Sequence, residues 1–174
     1  LGHVDVWINN VGRGINRPVM GLTEEDIEQM VAVNVKSALC GMQVIVPHFI
    51  ARGEGHLINM SSFLSRVPVA SYRSAYSGSK AMLNILTESL RMDLREAHPN
   101  VHVSLVLPGL VSTDFARRAL GGPPSGGLVS ATPAQTPADA AREIVALIEE
   151  PRAERYTNQA LRAMVKNRFS DPLI

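Results

Sequence analysis

The run Val101-His102-Val103-Ser104-Leu105-Val106-Leu107 constrains the fold more than any other stretch of the chain. Apolar residues dominate it on both faces of the strand alternation. A parallel strand reads this way when helices cover both sides of its sheet. Parallel strands need long crossovers, usually helical, and the sequence supplies them. Val4-Asp5-Val6-Trp7-Ile8 and His56-Leu57-Ile58-Asn59-Met60 read as two earlier strands, with long helical patterns between the three. The expected class is α/β, a doubly wound, Rossmann-like parallel sheet.

The helices carry their own signals. Thr23-Glu24-Glu25-Asp26 has the form of a helix start, a threonine cap followed by an acidic first turn. Ile27, Met30, Val31, Val35, Ala38, Leu39, Met42, Ile45, Val46 and Phe49 then mark one face as far as Gly53. Asn34 falls inside that stripe, where a buried amide costs free energy unless its bonds are made. Cys40, on the same pattern, reads as a small core residue. A second helix runs through Tyr76 to Leu94, with Met82, Leu86, Leu90 and Leu94 at spacing four, and Pro99-Asn100 breaks it. Thr136-Pro137 opens a third, with Ala141, Ile144, Val145 and Ile148 on one side. Residues 112–136 hold four glycines and three prolines without a period, the pattern of a mobile loop with a short helix around Asp114 to Ala119. Arg155 to Asn158 and Gln159 to Phe169 read as a last short strand and a helical tail. No repeat or linker divides residues 1–174, so one domain is expected.

Sites in such sheets lie outside the carboxyl ends of the strands. Asn9-Asn10-Val11-Gly12, Ser61-Ser62 and Pro108-Gly109 each stand at a predicted strand end and should converge on one rim. Tyr76 and Lys80 are four residues apart, hence on one helix face. A phenol of pKa about 10 must drop by about 3 units to exchange protons near neutrality, roughly 4 kcal/mol, and a neighbouring cation pushes in that direction. Alone, the pair reads more readily as an exposed helix with a spare cation.

Composition removes several classes. The net charge of +1 asks for neither nucleic acid nor an acidic membrane. The single Cys40 excludes an internal disulfide and fits a reducing, cytoplasmic compartment. His3, His48, His56, His98 and His102 have no ligand-like spacing, so no metal is expected. No uninterrupted apolar run reaches membrane length.

In order, the marks are Asn9-Asn10-Val11-Gly12, Asn34, Ser61-Ser62, Tyr76-x-x-x-Lys80 and Pro108-Gly109-Leu110-Val111-Ser112-Thr113. This set resembles the short-chain dehydrogenase/reductase family in its simple single-domain branch, over nearly the whole chain from Val4 to about Ile148. The resemblance implies an oxidoreductase that moves hydride between NAD or NADP and an alcohol or carbonyl substrate. Tyr76 would be the general acid/base. Lys80 would lower its pKa and bond the nicotinamide ribose, and Ser62 would hold the substrate oxygen. Asn34 would hold a water linking Lys80 to solvent; the alternative is a helix-kinking residue with its bonds satisfied. Asn9, Asn10 and Gly12 would brace the sheet near the adenosine side. Pro108, Gly109, Val111 and Thr113 would contact the nicotinamide, though Thr113 equally fits a cap before Phe115. A homodimer or homotetramer built on the two long helices is implied for the intact protein.

Three departures stand out. Val11 replaces the usual Ala. Ser62 lies one residue farther from Tyr76 than is usual, read as an extra residue near Ala70-Ser71, with Ser61 the runner-up and Ser65 third. The family's Gly-rich phosphate turn, at the start of a helix after the first strand, has no counterpart, because Gly12-x-Gly14 belongs to the Asn-Asn turn. At about 30 residues per strand–helix unit, on the order of 80 residues are expected to be missing before Leu1. Residues 1–174 then read as the C-terminal two-thirds of one Rossmann-type domain, inactive alone. The competing expectation is a non-catalytic binding or assembly partner with a degenerate dehydrogenase fold. Epimerisation, dehydration or isomerisation on the same scaffold is a third.

Overall fold

The computed structural model describes residues 2–122 and 132–170. Four strands form one parallel sheet in the order β1-β2-β3-β4: Val6–Asn9, Gly55–Met60, Val101–Leu107 and Glu154–Tyr156. The alternation along β2 and β3 sorts side chains to two covered faces, as expected for buried parallel strands. Leu57, Val101 and Val103 meet Met42, Ile45, Phe49 and Leu83 on one side. Ile58 and Val106 meet Leu147 on the other. The α/β class and the parallel sheet stand as read from the sequence.

A single helical rod joins β1 to β2. Its first part, α1 (Glu24–Val31), starts at a full capping box in which Thr23 and Asp26 satisfy each other's backbone N–H groups. A π-turn follows at Ala32–Lys36, then α2 (Ser37–Arg52), which ends on Gly53 in the left-handed conformation. Glu24–Arg52 is long and apolar enough to cross a membrane by length and composition alone. Here Met42, Ile45 and Phe49 of this rod lie on the sheet. The helix α3 (Ser74–Leu94) covers the same face beside β3. The opposite face is covered by α4 (Pro137–Glu149), again begun by a capping box, Thr136 with Asp139. The last helix, α5 (Gln159–Ser170), sets Leu161 and Val165 against Leu105, Leu107 and Tyr156.

Several sequence expectations change. Cys40 is exposed, not core. It sits where α2 overhangs β1, the outermost strand, and Ile8, Val11 and Val44 beside it are also uncovered by any described residue. Ile27 is exposed because the first turns of α1 lie beyond the sheet, while Met30, Val35, Ala38, Met42, Ile45, Val46 and Phe49 are buried as expected. On α3, Leu83 is buried and Met82 exposed. Steps of four residues advance about 40° past a full turn, so the row turns by about 120° from exposed Met82 to buried Leu94. Asp114 to Ala119 makes only a turn, closed by the Arg118 N–H donating to the Asp114 carbonyl. The mobile-loop expectation falls partly on residues 123–131, which lie outside the described residues. The described flanks are tied down, Leu120 bridged to Ile15 and Val111 to Gln135.

Candidate active site

The carboxyl ends of β1, β2 and β3 open into one cleft of about 360 Å³. The turn after β1 brings Asn10 and Gly12 to it, β2 brings Ser62, and β3 brings Pro108 and Gly109. The first turns of α3 add Tyr76 and Lys80 from one side. Val111 and Thr113 reach it because the Ser112 N–H donates to the Gln135 carbonyl, and the Gln135 N–H to that of Leu110, fixing the segment after β3 to the foot of α4. Thr113 Oγ1 also accepts the Phe115 N–H at 3.3 Å, so its local role is a turn cap. Gly109 has a structural reason of its own: a Cβ there would stand 2.5 Å from Leu161.

The two adjacent serines divide their work. Ser61 Oγ donates to Asn84 Oδ1 at 2.5 Å. Ser65 Oγ accepts from Asn84 Nδ2 at 2.7 Å and donates to the Ser62 carbonyl. Asn84 thereby holds both in place. Ser62 Oγ accepts only a local N–H, that of Leu64, and the same hydroxyl pulls the Tyr76 phenol down.

Tyr76 is deeply buried, and burial pushes its phenol above the ordinary value. The hydrogen bond from Ser62 and the charge of Arg73 pull the other way without overcoming it. The cation acting on this phenol is Arg73, whose guanidinium carbon is 5.9 Å from the ring centre. Lys80 directs Nζ to the Met60 carbonyl at 2.7 Å, and burial pulls its ammonium down to about 8. The expected lowering of the phenol by Lys80 is therefore not what this geometry shows; desolvation of Tyr76 dominates.

Asn34 is completely buried and its amide is fully used. Oδ1 accepts the Arg13 N–H at 2.8 Å, and Nδ2 donates to the Arg13 carbonyl and to Ser79 Oγ. It sits in the π-turn, where the ladder loosens and a side chain can leave the helix. Its visible work is to hold the turn after β1 against α3. Asn9 is a second brace. It accepts from Trp7 Nε1 and donates to the Ala38 carbonyl and Asn59 Oδ1, outside the cleft. Asn59 passes the chain on to Thr87 Oγ1.

Residues 1–121 match the family model described as short chain dehydrogenase. The chain belongs to that family. An uncharacterized oxidoreductase of Staphylococcus epidermidis is 30% identical over 124 residues, which is 68% of this chain and 53% of the relative. A short chain dehydrogenase from Burkholderia cenocepacia, solved in complex with NADP, superposes with a TM-score of 0.80 at 26% identity, over 97% of this chain and 65% of the other. A short chain dehydrogenase/reductase from Burkholderia phymatum, solved with NAD, gives 0.79 at 26%, over 98% and 66%. The chain spans about half the length of the curated relative and about two thirds of each solved structure.

The cleft of this short chain dehydrogenase keeps polar groups free at its mouth. Lysine has three donors, and Lys80 gives one to Met60, leaving two without a described partner. The absence of a side chain at Gly12 keeps the approach open, since a Cβ there would lie 3.4 Å from Lys80 Nζ. The phosphate end finds no cradle among the described residues, because the turn at Asn10 to Gly12 leads into a loop and not into a helix. Sequence reasoning passed over Arg73, Ser79 and Asn84, all buried beside the site. Arg73 carried a usable signal, its place three residues before Tyr76, directly ahead of the helix.

Proposed function

We propose that this dehydrogenase is an NAD- or NADP-dependent oxidoreductase acting on an alcohol/carbonyl pair, with Tyr76 as the acid/base. The observation that carries the reading is the convergence of Tyr76, Ser62 and Lys80 on one mostly apolar cleft at the strand ends. The nicotinamide supplies or accepts the hydride. Ser62 bonds the substrate oxygen beside the Tyr76 hydroxyl. Tyr76 donates its proton to that oxygen in reduction and takes it back in oxidation. Lys80 holds the ribose with its free donors, and the charge of Arg73 favours the phenolate. The walls formed by Phe63, Leu64 and Phe115 exclude water and make each of these bonds stronger.

Residues 1–174 hold the proton-transfer part of a single Rossmann-type domain, and the dinucleotide phosphates are held by a part of the fold these residues do not contain. The shares of the relatives covered support this. Exposed Met82, Ile85 and Met92 along α3 support a homodimer or homotetramer through the long helices. The single Cys40 supports a cytoplasmic setting.

The test is to purify the 174-residue chain and a version extended with the coding sequence upstream of Leu1. Titration calorimetry with NADH and NADPH should show binding by the extended version and negligible binding by the shorter one. The extended version should reduce members of a ketone and aldehyde panel, and Tyr76→Phe should lower turnover by about 10²-fold or more with the fold retained. Full turnover by Tyr76→Phe would remove the reading.

A further inference from the structure

Arg73 is a cation without a counter-ion. It is 5% exposed. No ion pair or side-chain hydrogen bond joins its guanidinium to any described residue. The groups whose charge acts on it are the phenols of Tyr76 and Tyr72, and no carboxylate is among them. What it has is aromatic: its guanidinium carbon is 5.9 Å from the ring centres of both Tyr76 and Phe115. Below it lies Gly14, where a Cβ would come within 2.8 Å of Nη1. Two rings recover part of the cost of burying the charge. They leave the five N–H donors of the fork unmet.

The surroundings point the same way. Arg73 precedes the 21-residue α3, whose first turn has no acidic residue and no side-chain cap. The positive end of that helix therefore adds to the same potential. Ser74 Oγ, at the first position of α3, is buried without a partner. Arg73 lines the same cleft as Ser62 and Tyr76.

We infer that Arg73 binds a carboxylate on the substrate, so that the cleft takes short oxo acids or the matching hydroxy acids rather than neutral ketones. The inference rests on the reading of this cleft as the substrate site. A planar carboxylate matches the guanidinium fork with two parallel bonds. The substrate carbonyl then meets Ser62 and Tyr76, and a short aliphatic spacer lies against Phe115. The carboxylate completes a charge that the protein leaves open.

The experiment uses a series of aliphatic oxo acids of increasing length, each paired with its methyl ester. Affinity is read on the chain and on the extended protein by ligand-observed NMR titration, without nicotinamide and without turnover. At least one acid should bind about tenfold tighter than its ester. That ratio should fall to near one in Arg73→Met and recover in part in Arg73→Lys, which keeps charge but not the fork. If Arg73→Met fails to fold by circular dichroism, Arg73→Gln is the neutral variant, and the wild-type ratio stands on its own. Acids that bind no better than esters overturn the inference. So does a preference that survives in Arg73→Met, since Lys80 would then be its source. Absence of hydride transfer would remove the proposed oxidoreductase activity and leave the acid preference standing. Turnover on esters without any acid preference would remove only the anion site.

Discussion

Replacing Lys80 with Met should make the chain more stable at neutral pH while destroying the site. Lys80 is 3% exposed and burial pulls its ammonium from 10.5 to about 8. That difference corresponds to about 3 kcal/mol against the charged form in the folded chain. The Nζ bond to the Met60 carbonyl offsets about 1 kcal/mol. A methionine of similar length fills the space without the charge, so the net gain at pH 7 is about 2 kcal/mol. The sign follows from linkage. The folded value is depressed below the unfolded one, so between pH 8 and 10.5 the unfolded chain holds the extra proton. Native stability of the wild type therefore rises across that window, and below pH 8 the full penalty remains. Lys80→Met lacks this rise, so its advantage should shrink to near zero by about pH 10. Urea unfolding of both proteins at pH 7 and pH 10 reads the two gaps. A variant less stable than wild type at pH 7, or a gap that does not close, would refute the assignment of a charged, desolvated Lys80.

Three further outcomes test the framework around the site. His56 is buried, hydrogen-bonds Ser104, and is lowered to about 4 by burial and then by His102. Since its folded value is below its unfolded 6.5, stability should fall by about 3 kcal/mol as pH drops from 6.5 to 4, and His56→Asn should flatten that limb in a urea series. Gly41→Ala should destabilise by about 1–3 kcal/mol, because a Cβ there would stand 2.3 Å from Asn9 Oδ1 and 3.0 Å from Trp7 Nε1; thermal unfolding measures it. Asn34→Leu should cost about 3 kcal/mol, as both backbone groups of Arg13 and the Ser79 hydroxyl lose a partner. Hydrogen exchange at the Arg13 amide should accelerate with it.

The sheet was legible because its signal is local. Val101–Leu107 is apolar on both faces, and burial between α3 and α4 requires that. The helix starts were legible for the same reason, since a capping box is written in four residues. What failed depended on where an element overhangs its neighbours. Cys40 and Ile27 sit at spacings indistinguishable from those of buried Met42 and Met30. Cys40 faces out because α2 overhangs the outermost strand, β1, and Ile27 because the first turns of α1 lie beyond the sheet.

The site shows the same division more sharply. Which residue types gather at the rim follows from strand order, but which atoms face the cleft does not. Ser61 and Ser62 are neighbours at the end of a strand, so the pleat must send them to opposite sides. Spacing to Tyr76 left both open. Asn84, on the next helix, bonds Ser61 and Ser65 and makes no bond to Ser62. The same helix set the charge balance that spacing misjudged. Lys80 lies one turn after Tyr76 and turns to a strand carbonyl, while Arg73 lies one turn before and stacks on the ring. A tyrosine with cations on both sides along its helix has two ways to be tuned. One cation spends a donor on that carbonyl, and the other keeps its fork free for the proposed carboxylate.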